Sequence, residues 1–219
     1  MKRAVSIILL ILFLDQAVKI WVKTHMYLGE EFNVLGNWFI IHFTENAGMA
    51  FGMEFGGYAG KIALTIFRIA VASLGWWYLS TLIKKKAHNG LIVCGSLILA
   101  GAIGNIIDSI CYGRIFSESE TGLAVLFPAD GGYGQWLHGR VVDMLYFPVI
   151  ETHFPLWFPM WGGEEFVFFR PVFNLADSAI TVGVIILILF QKKFFPGGEI
   201  ASAEQQSEAA QSEAGISPQ

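Results

Sequence analysis

Charge is scarce in this chain: Lys, Arg, Asp and Glu make up 15% of its 219 residues, against 54% hydrophobic. A soluble domain carries about 25% charge, so a water-solvated globule is excluded. The few basic residues form no patch of the kind that binds nucleic acid. Cysteine is nearly absent too. Cys94 and Cys111 fall in one predicted helix, separated by about 25 Å of axial rise, whereas disulfide Cα atoms lie within about 7 Å. The histidines lack ligand spacing such as HExxH, so neither a metal nor another cofactor is expected. Internal repeats are missing as well.

What the chain has is long apolar runs, at 4–23, 61–83, 91–111 and 174–191. Runs of about 20 apolar residues are long enough to cross a bilayer. The expected fold is therefore an all-α membrane protein. Four transmembrane helices form one domain over 1–196, with a small extracytoplasmic β element and outer loops. The first run, after MKR, has the look of a signal peptide, but it contains Asp15 and Lys19 and no small-x-small cleavage site follows. It is read as a retained span. The tail 197–219 is mostly Ala, Ser, Glu and Gln and is expected to be disordered.

Lys and Arg in short flanking segments set orientation. Lys2 and Arg3 precede the first run, KKKAH (84–88) joins the second and third, and Lys192 and Lys193 follow the fourth. All fall on one side, which places both termini in the cytoplasm and residues 28–57 and 112–172 outside. Within 28–57, Phe39, Ile41 and Phe43 alternate with Ile40, His42 and Thr44, a period-two pattern for a short strand. Asn46-Ala47-Gly48 reads as the turn that ends it. The outer stretch LYFPVIETHFPLWFPMWGGEEFVFFRPVF is dense in aromatics and suits a bilayer interface.

With this orientation, the polar residues of the runs share one depth. Asp15 and Lys19 lie roughly 17 and 23 Å along the first helix, and Asn105 and Asp108 roughly 21 and 25 Å along the third. Asn174 and Asp177 open the fourth, and Arg68 sits in the outer half of the second. An embedded charge costs roughly 2.5–3.5 kcal/mol on insertion scales, so such residues usually face a shared interior and carry function. Asp15 and Lys19 are spaced i,i+4 and pair, more simply as structure than as chemistry. Arg68 has the plain reading of a side chain snorkelling to headgroups. Asn105 and Asn174 are interhelical glue or site residues. Ser96, Ala100 and Gly104, at i,i+4 steps, suit close helix packing. Asp177 has no basic residue within a turn and calls for a partner elsewhere. Asp143, in HGRVVDMLYFP, is the best placed, held by its loop near the same outer surface.

LDQAVK (14–19), FTENAGMAFG (43–52), GAIGNIIDS (101–109), GRVVDM (139–144) and FNLADSAITVG (173–183) together resemble one family, the lipoprotein signal peptidases or signal peptidase II. The resemblance implies an aspartyl protease of the bacterial inner membrane, acting near the outer leaflet. Its partners are membrane lipids and prolipoproteins, whose signal peptides it removes just before a diacylglyceryl-modified cysteine. By motif it implies Asp143 and Asp177 as the catalytic pair. It carries functional roles to Asn46, Gly48, Asn105, Asp108 and Asn174, and to Asp15 and Lys19. One departure is Ser109, where the family has Arg; Arg114 and Arg140 are the candidates to replace it. A second is the inserted IFSESETGLAVLFPADGGYGQWLHG (115–139). A proton-coupled carrier is the rival reading, disfavoured because the charges cluster at one face without an inverted repeat. A structural scaffold leaves the embedded aspartates unexplained.

Overall fold

Helices long and apolar enough to cross a membrane are formed by three of the four apolar runs: Lys2–His25, Ala59–Lys84 and Asn89–Ile115. The computed structural model describes residues 1–46, 57–148, 150–153, 163, 165–168 and 171–195. The first helix, α1 (Lys2–His25), is followed by strands β1 (Glu31–Leu35) and β2 (Phe39–Asn46) and by helix α2 (Gly57–Lys84). Helix α3 (Asn89–Ile107) runs on through a π-helical turn, Asp108–Tyr112, and a last short turn α4 (Gly113–Ile115). Strands β3 (Val141–Tyr146), β4 (Ile150–His153) and β5 (Glu165–Phe168) precede α5 (Leu175–Leu189) and the short α6 (Gln191–Phe194). The fourth run is thus a shorter apolar helix of 15 residues, about 22 Å long. Gly48 and the expected tail 197–219 lie outside the described residues.

Helix α3 is the centre of the bundle and packs against α1, α2 and α5. The small residues at its surface are the reason. A Cβ on Gly101 would lie 2.2 Å from the Ala176 carbonyl oxygen, and one on Gly104 would lie 2.8 Å from an Asp15 carboxylate oxygen. Both contacts are possible only without a side chain. Helix α1 turns one stripe inward, with Ile8, Asp15, Lys19, Val22 and Lys23 buried. Its other face leaves Leu9, Leu10 and Phe13 exposed, and α2 likewise exposes Phe67, Leu74 and Trp77. Apolar side chains facing outward at this density are what lipid contact requires.

The β element is larger than the sequence pattern suggests. Strands β1, β2 and β3 form one antiparallel sheet in that order, and β4 pairs with β5 in a second. In the first sheet Thr44 pairs with Asp143, so Asp143 stands on a strand rather than in a loop. The expected alternation along β2 breaks, because the register shifts between Ile41 and Thr44. Ile40 and Phe43 are the buried residues, three apart instead of two, as a bulge produces. Phe43 packs with Val22, Met26, Tyr112, Phe116, Val142 and Met144 in a core beneath the sheet. The inserted 115–139 segment folds back onto the end of α3. Phe116 bridges to Leu126, Gly134 N–H donates to Gly113 O at 2.7 Å, and Gly139 N–H donates to Ser109 O at 2.9 Å.

Candidate active site

The site is assembled where α5 begins. Asn174 is the N-cap of α5: its Oδ1 accepts from Asp177 N–H at 2.9 Å, while the Asp177 carboxylate accepts from Asn174 N–H at 3.4 Å. This is a reciprocal capping box with a carboxylate in the third helical position. Backbone pairing of Phe173 with Leu145 brings the cap beside strand β3. There the Asn174 amide donates to Asp143 Oδ1 at 2.7 Å and to Asn105 Oδ1 at 3.1 Å. Asn105 in turn donates to Asp177 Oδ1 at 2.7 Å. Asp143 and Asp177 therefore converge on one fully buried asparagine.

Beneath them lies the charged cluster that α1 and α3 share. Lys19 Nζ is 2.9 Å from Asp15, 2.7 Å from Asp108 and 2.9 Å from Asn105 Oδ1. The expected Asp15–Lys19 pair is present, but Asp108 completes it. Each of the two carboxylates also reaches the backbone next to a candidate catalytic residue. Asp15 Oδ1 accepts from Ala176 N–H at 2.9 Å, just before Asp177. Asp108 Oδ2 accepts from Val142 N–H at 3.3 Å, just before Asp143. The cluster thus fixes both backbones that carry the aspartates. Asp108 belongs to the π turn, and such turns are often found at functional sites.

Asp143 is 5% exposed. Its carboxyl is pushed up to about 7, first by burial and then by the charge of Asp177, against the hydrogen bond from Asn174. Two neighbouring carboxylates with separated affinities can hold one proton between them.

The other expected residues are distributed around this centre. Asn46 ends β2, paired in register with Val141. Arg68 Nη1 is 3.5 Å from Ser109 Oγ, which itself donates to Asn105 O at 2.9 Å. Arg140 is instead held by Glu118 at 2.6 Å and Glu45 at 3.2 Å, and the Arg114 guanidinium lies beside Gly131. Of the three arginines, Arg68 is the one that reaches Ser109.

Several participants are not singled out by their motif positions. Gln16 donates to Asp108 at 2.8 Å and to Asp15 at 3.2 Å, and accepts from the Tyr112 hydroxyl at 3.1 Å. Gln16 is uncharged, yet its place between Asp15 and Lys19 was a usable signal. A second buried network joins Lys23, Glu45 and Ser119. Burial alone would raise the Glu45 carboxyl, but Lys23, Ser119 and Arg140 hold it below the ordinary range. Among the described residues no group of His, Cys, Asp and Glu side chains is arranged to hold a metal ion.

Comparison with known proteins agrees with this architecture. A family model described as Signal peptidase (SPase) II matches residues 7–193. A lipoprotein signal peptidase of Porphyromonas gingivalis is 54% identical over 189 residues, covering 86% of this chain and 82% of the relative. One from Amoebophilus asiaticus is 40% identical over 187 residues, covering 84% and 75%. A solved bacterial membrane enzyme is similar with a TM-score of 0.57 at 25% identity, covering 86% of this chain and 92% of that one. A second such structure, at 24% identity, has a TM-score of 0.56 over 88% and 89%. Apolar helices, a multi-pass membrane fold and a match through nearly every described element lead to one assignment: the chain belongs to the signal peptidase II family of membrane proteases.

Proposed function

We propose that the chain is an aspartyl endopeptidase that removes signal peptides from diacylglyceryl-modified prolipoproteins, just before the lipidated cysteine. The observation that carries the reading is that the Asp143 carboxylate accepts from the Asn174 side chain while the Asp177 carboxylate accepts from the Asn174 backbone N–H and from Asn105. Asp143, with its raised affinity for a proton, is the member that donates, and Asp177 serves as the base. Asp177 takes a proton from a water molecule, whose oxygen bonds to the scissile carbonyl carbon. Asp143 polarises the carbonyl and delivers its proton to that oxygen, giving a neutral diol. The C–N bond then breaks: the amine leaves with the proton held by Asp177, and one diol hydroxyl returns its proton to Asp143. Asn105 and Asn174 hold the pair, Asp15, Lys19 and Asp108 hold the backbones that bear it, and Asn46 and Gly48 serve the substrate.

In this reading residues 1–196 are one peptidase domain of the bacterial inner membrane, with α5 as the fourth span. Both termini are cytoplasmic, as the basic flanks support. The site then lies at the outer leaflet, where a signal helix ends at its lipidated cysteine. The test is cleavage of a lipidated prolipoprotein by Asp143→Asn, Asp177→Asn and the double variant. Residues acting as one unit are non-additive, so all three are expected to lose activity to a similar floor. Near-normal turnover in either single variant, or losses that multiply in the double, sinks the shared-proton mechanism.

A further inference from the structure

The buried Lys23–Glu45–Ser119 network takes no part in the proton transfers and lies on the opposite face of the sheet from Asp143. Side chains alternate between the two faces of a strand. Thr44 pairs with Asp143 and Asn46 with Val141, so Thr44 and Asn46 share the Asp143 face. Glu45, paired with Val142, points the other way, toward the core that holds Phe43, Val142 and Met144. Its carboxylate is 2% exposed and is paired with Lys23 of α1. It also accepts from Ser119 Oγ at 2.8 Å and from Arg140 at 3.2 Å, and Lys23 donates to Ser119 at 2.7 Å. Arg140 directly precedes Val141 and is held in turn by Glu118 at 2.6 Å. Its backbone N–H donates to the Tyr133 hydroxyl at 2.6 Å, and both Lys23 and Arg140 lie over the Tyr133 ring, at 5.0 and 5.1 Å from the centroid.

We propose, resting on the peptidase reading, that Glu45 is a positioning residue: it locks the register at the end of β2 and so holds Asn46 on the Asp143 face, where the substrate binds. The upstream pairing does not set this register. The alignment shifts between Ile41 and Thr44, so a bulge separates the end of β2 from the rest of the strand. A slip of one residue would turn Glu45 to the site face and Asn46 into the core. Lys23 would then be left buried without its counter-charge, which is strongly disfavoured. An apolar side chain at position 45 would fill the same space but lack the directional contacts that tell one register from the next. Ser119 and Glu118 come from the start of the inserted segment, beside its anchor on α3, so that part of the insertion belongs to the support of Asn46.

The test is kcat and KM, measured separately, for cleavage of a lipidated prolipoprotein. Glu45→Gln keeps the shape and loses the charge. It is expected to raise KM about 3- to 10-fold, the equivalent of one substrate hydrogen bond, with kcat close to wild type. Because Glu45→Gln leaves Lys23 without a counter-charge, Glu45→Leu combined with Lys23→Met is measured beside it. Apolar replacement of both members of a buried pair tends to preserve stability, so a merely structural network would give a wild-type KM there. A raised KM in a double variant that melts with the wild type supports the positioning role, and a wild-type KM overturns it. If the double variant does not accumulate, Ser119→Ala, which deletes one hydroxyl, takes its place with the same two outcomes. Asp143→Asn, assayed alongside, separates the two readings. Full turnover there removes the aspartyl mechanism itself, whereas an inactive Asp143→Asn with a wild-type KM in the double variant removes only the role of Glu45.

Discussion

Replacing Lys19 with methionine removes the cation that Asp15, Asp108 and Asn105 share. Lys19, Asp15 and Asp108 are each no more than 1% exposed, so neither carboxylate is relieved by water. Breaking a buried pair by removing one partner costs about 3–5 kcal/mol. Here two carboxylates are left together, each keeping only Gln16 and one backbone N–H, which places Lys19→Met at about the upper end of that range. Asp15→Asn is different, because Lys19 keeps Asp108 and the amide oxygen can still accept from Ala176. That change amounts to one charge-assisted hydrogen bond, about 1.5–3 kcal/mol. Were Asp15 the sole partner of Lys19, as the i,i+4 spacing alone implies, Asp15→Asn would leave the cation unpaired and be more damaging than Asp15→Asn combined with Lys19→Met. The expected order of destabilisation is Lys19→Met first, then Lys19→Met with Asp15→Asn, then Asp15→Asn alone. Thermal unfolding in detergent, with the yield of monodisperse protein, measures it. A Lys19→Met variant that melts with the wild type, or less severely than Asp15→Asn, refutes the three-residue cluster.

Other outcomes follow from individual contacts. Asp143 in the folded chain holds its proton up to about pH 7, against about 3.9 when unfolded. Its contribution to stability is therefore complete below about pH 4 and lost as pH rises through 7. Asp143→Asn cannot ionise, so its melting temperature relative to wild type is expected to improve between pH 5 and 8.5; a constant difference contradicts this. Gly101→Ala drives a Cβ to 2.2 Å from the Ala176 carbonyl and is expected to cost about 1–3 kcal/mol by overpacking, seen as a lower melting temperature. For topology, a cysteine at Glu120, exposed within the inserted segment, is expected to label from outside and one at Asn89 from the cytoplasm. Ser119 is unsuitable because it is buried against Lys23 and Glu45. Equal outside labelling of both positions overturns the orientation.

The helices were legible because hydrocarbon imposes a simple rule, that long apolar runs must be helical and any polar residue within them must face inward. That rule led directly to Asp15, Lys19, Asn105, Asp108, Asn174 and Asp177, and the structure brings all six together. Asp143 was reached from its flanking residues and then by motif, but its strand setting was not legible, since pairing between residues as distant as Thr44 and Asp143 leaves no local periodic signal. The bulge that turns Phe43 inward is likewise invisible to a period-two pattern. Gln16 and Tyr112 carry no charge to mark them as costly. The Lys23–Glu45–Ser119 network joins α1, a strand and an insertion, and only the folded chain puts those three side by side.

The capping box at Asn174 also bears on how this sequence is able to vary. Asp177 both completes the capping box that starts α5 and accepts from Asn105 in the candidate site, so helix initiation and the candidate site draw on the same three-residue interval. Adding or deleting one residue between Asn174 and Asp177 would swing the carboxylate about 100° around the helix axis and break the cap in the same event. No compensating shift is available, because the next carbonyl back, Phe173, is tied to β3. Length variation therefore has to be confined to segments that return to a fixed anchor. The 115–139 segment is of that kind, leaving and rejoining the end of α3 at Gly113 and Gly139. Between lineages, such loops are free to grow or shrink, while the spacing from Asn174 to Asp177 is expected to stay invariant.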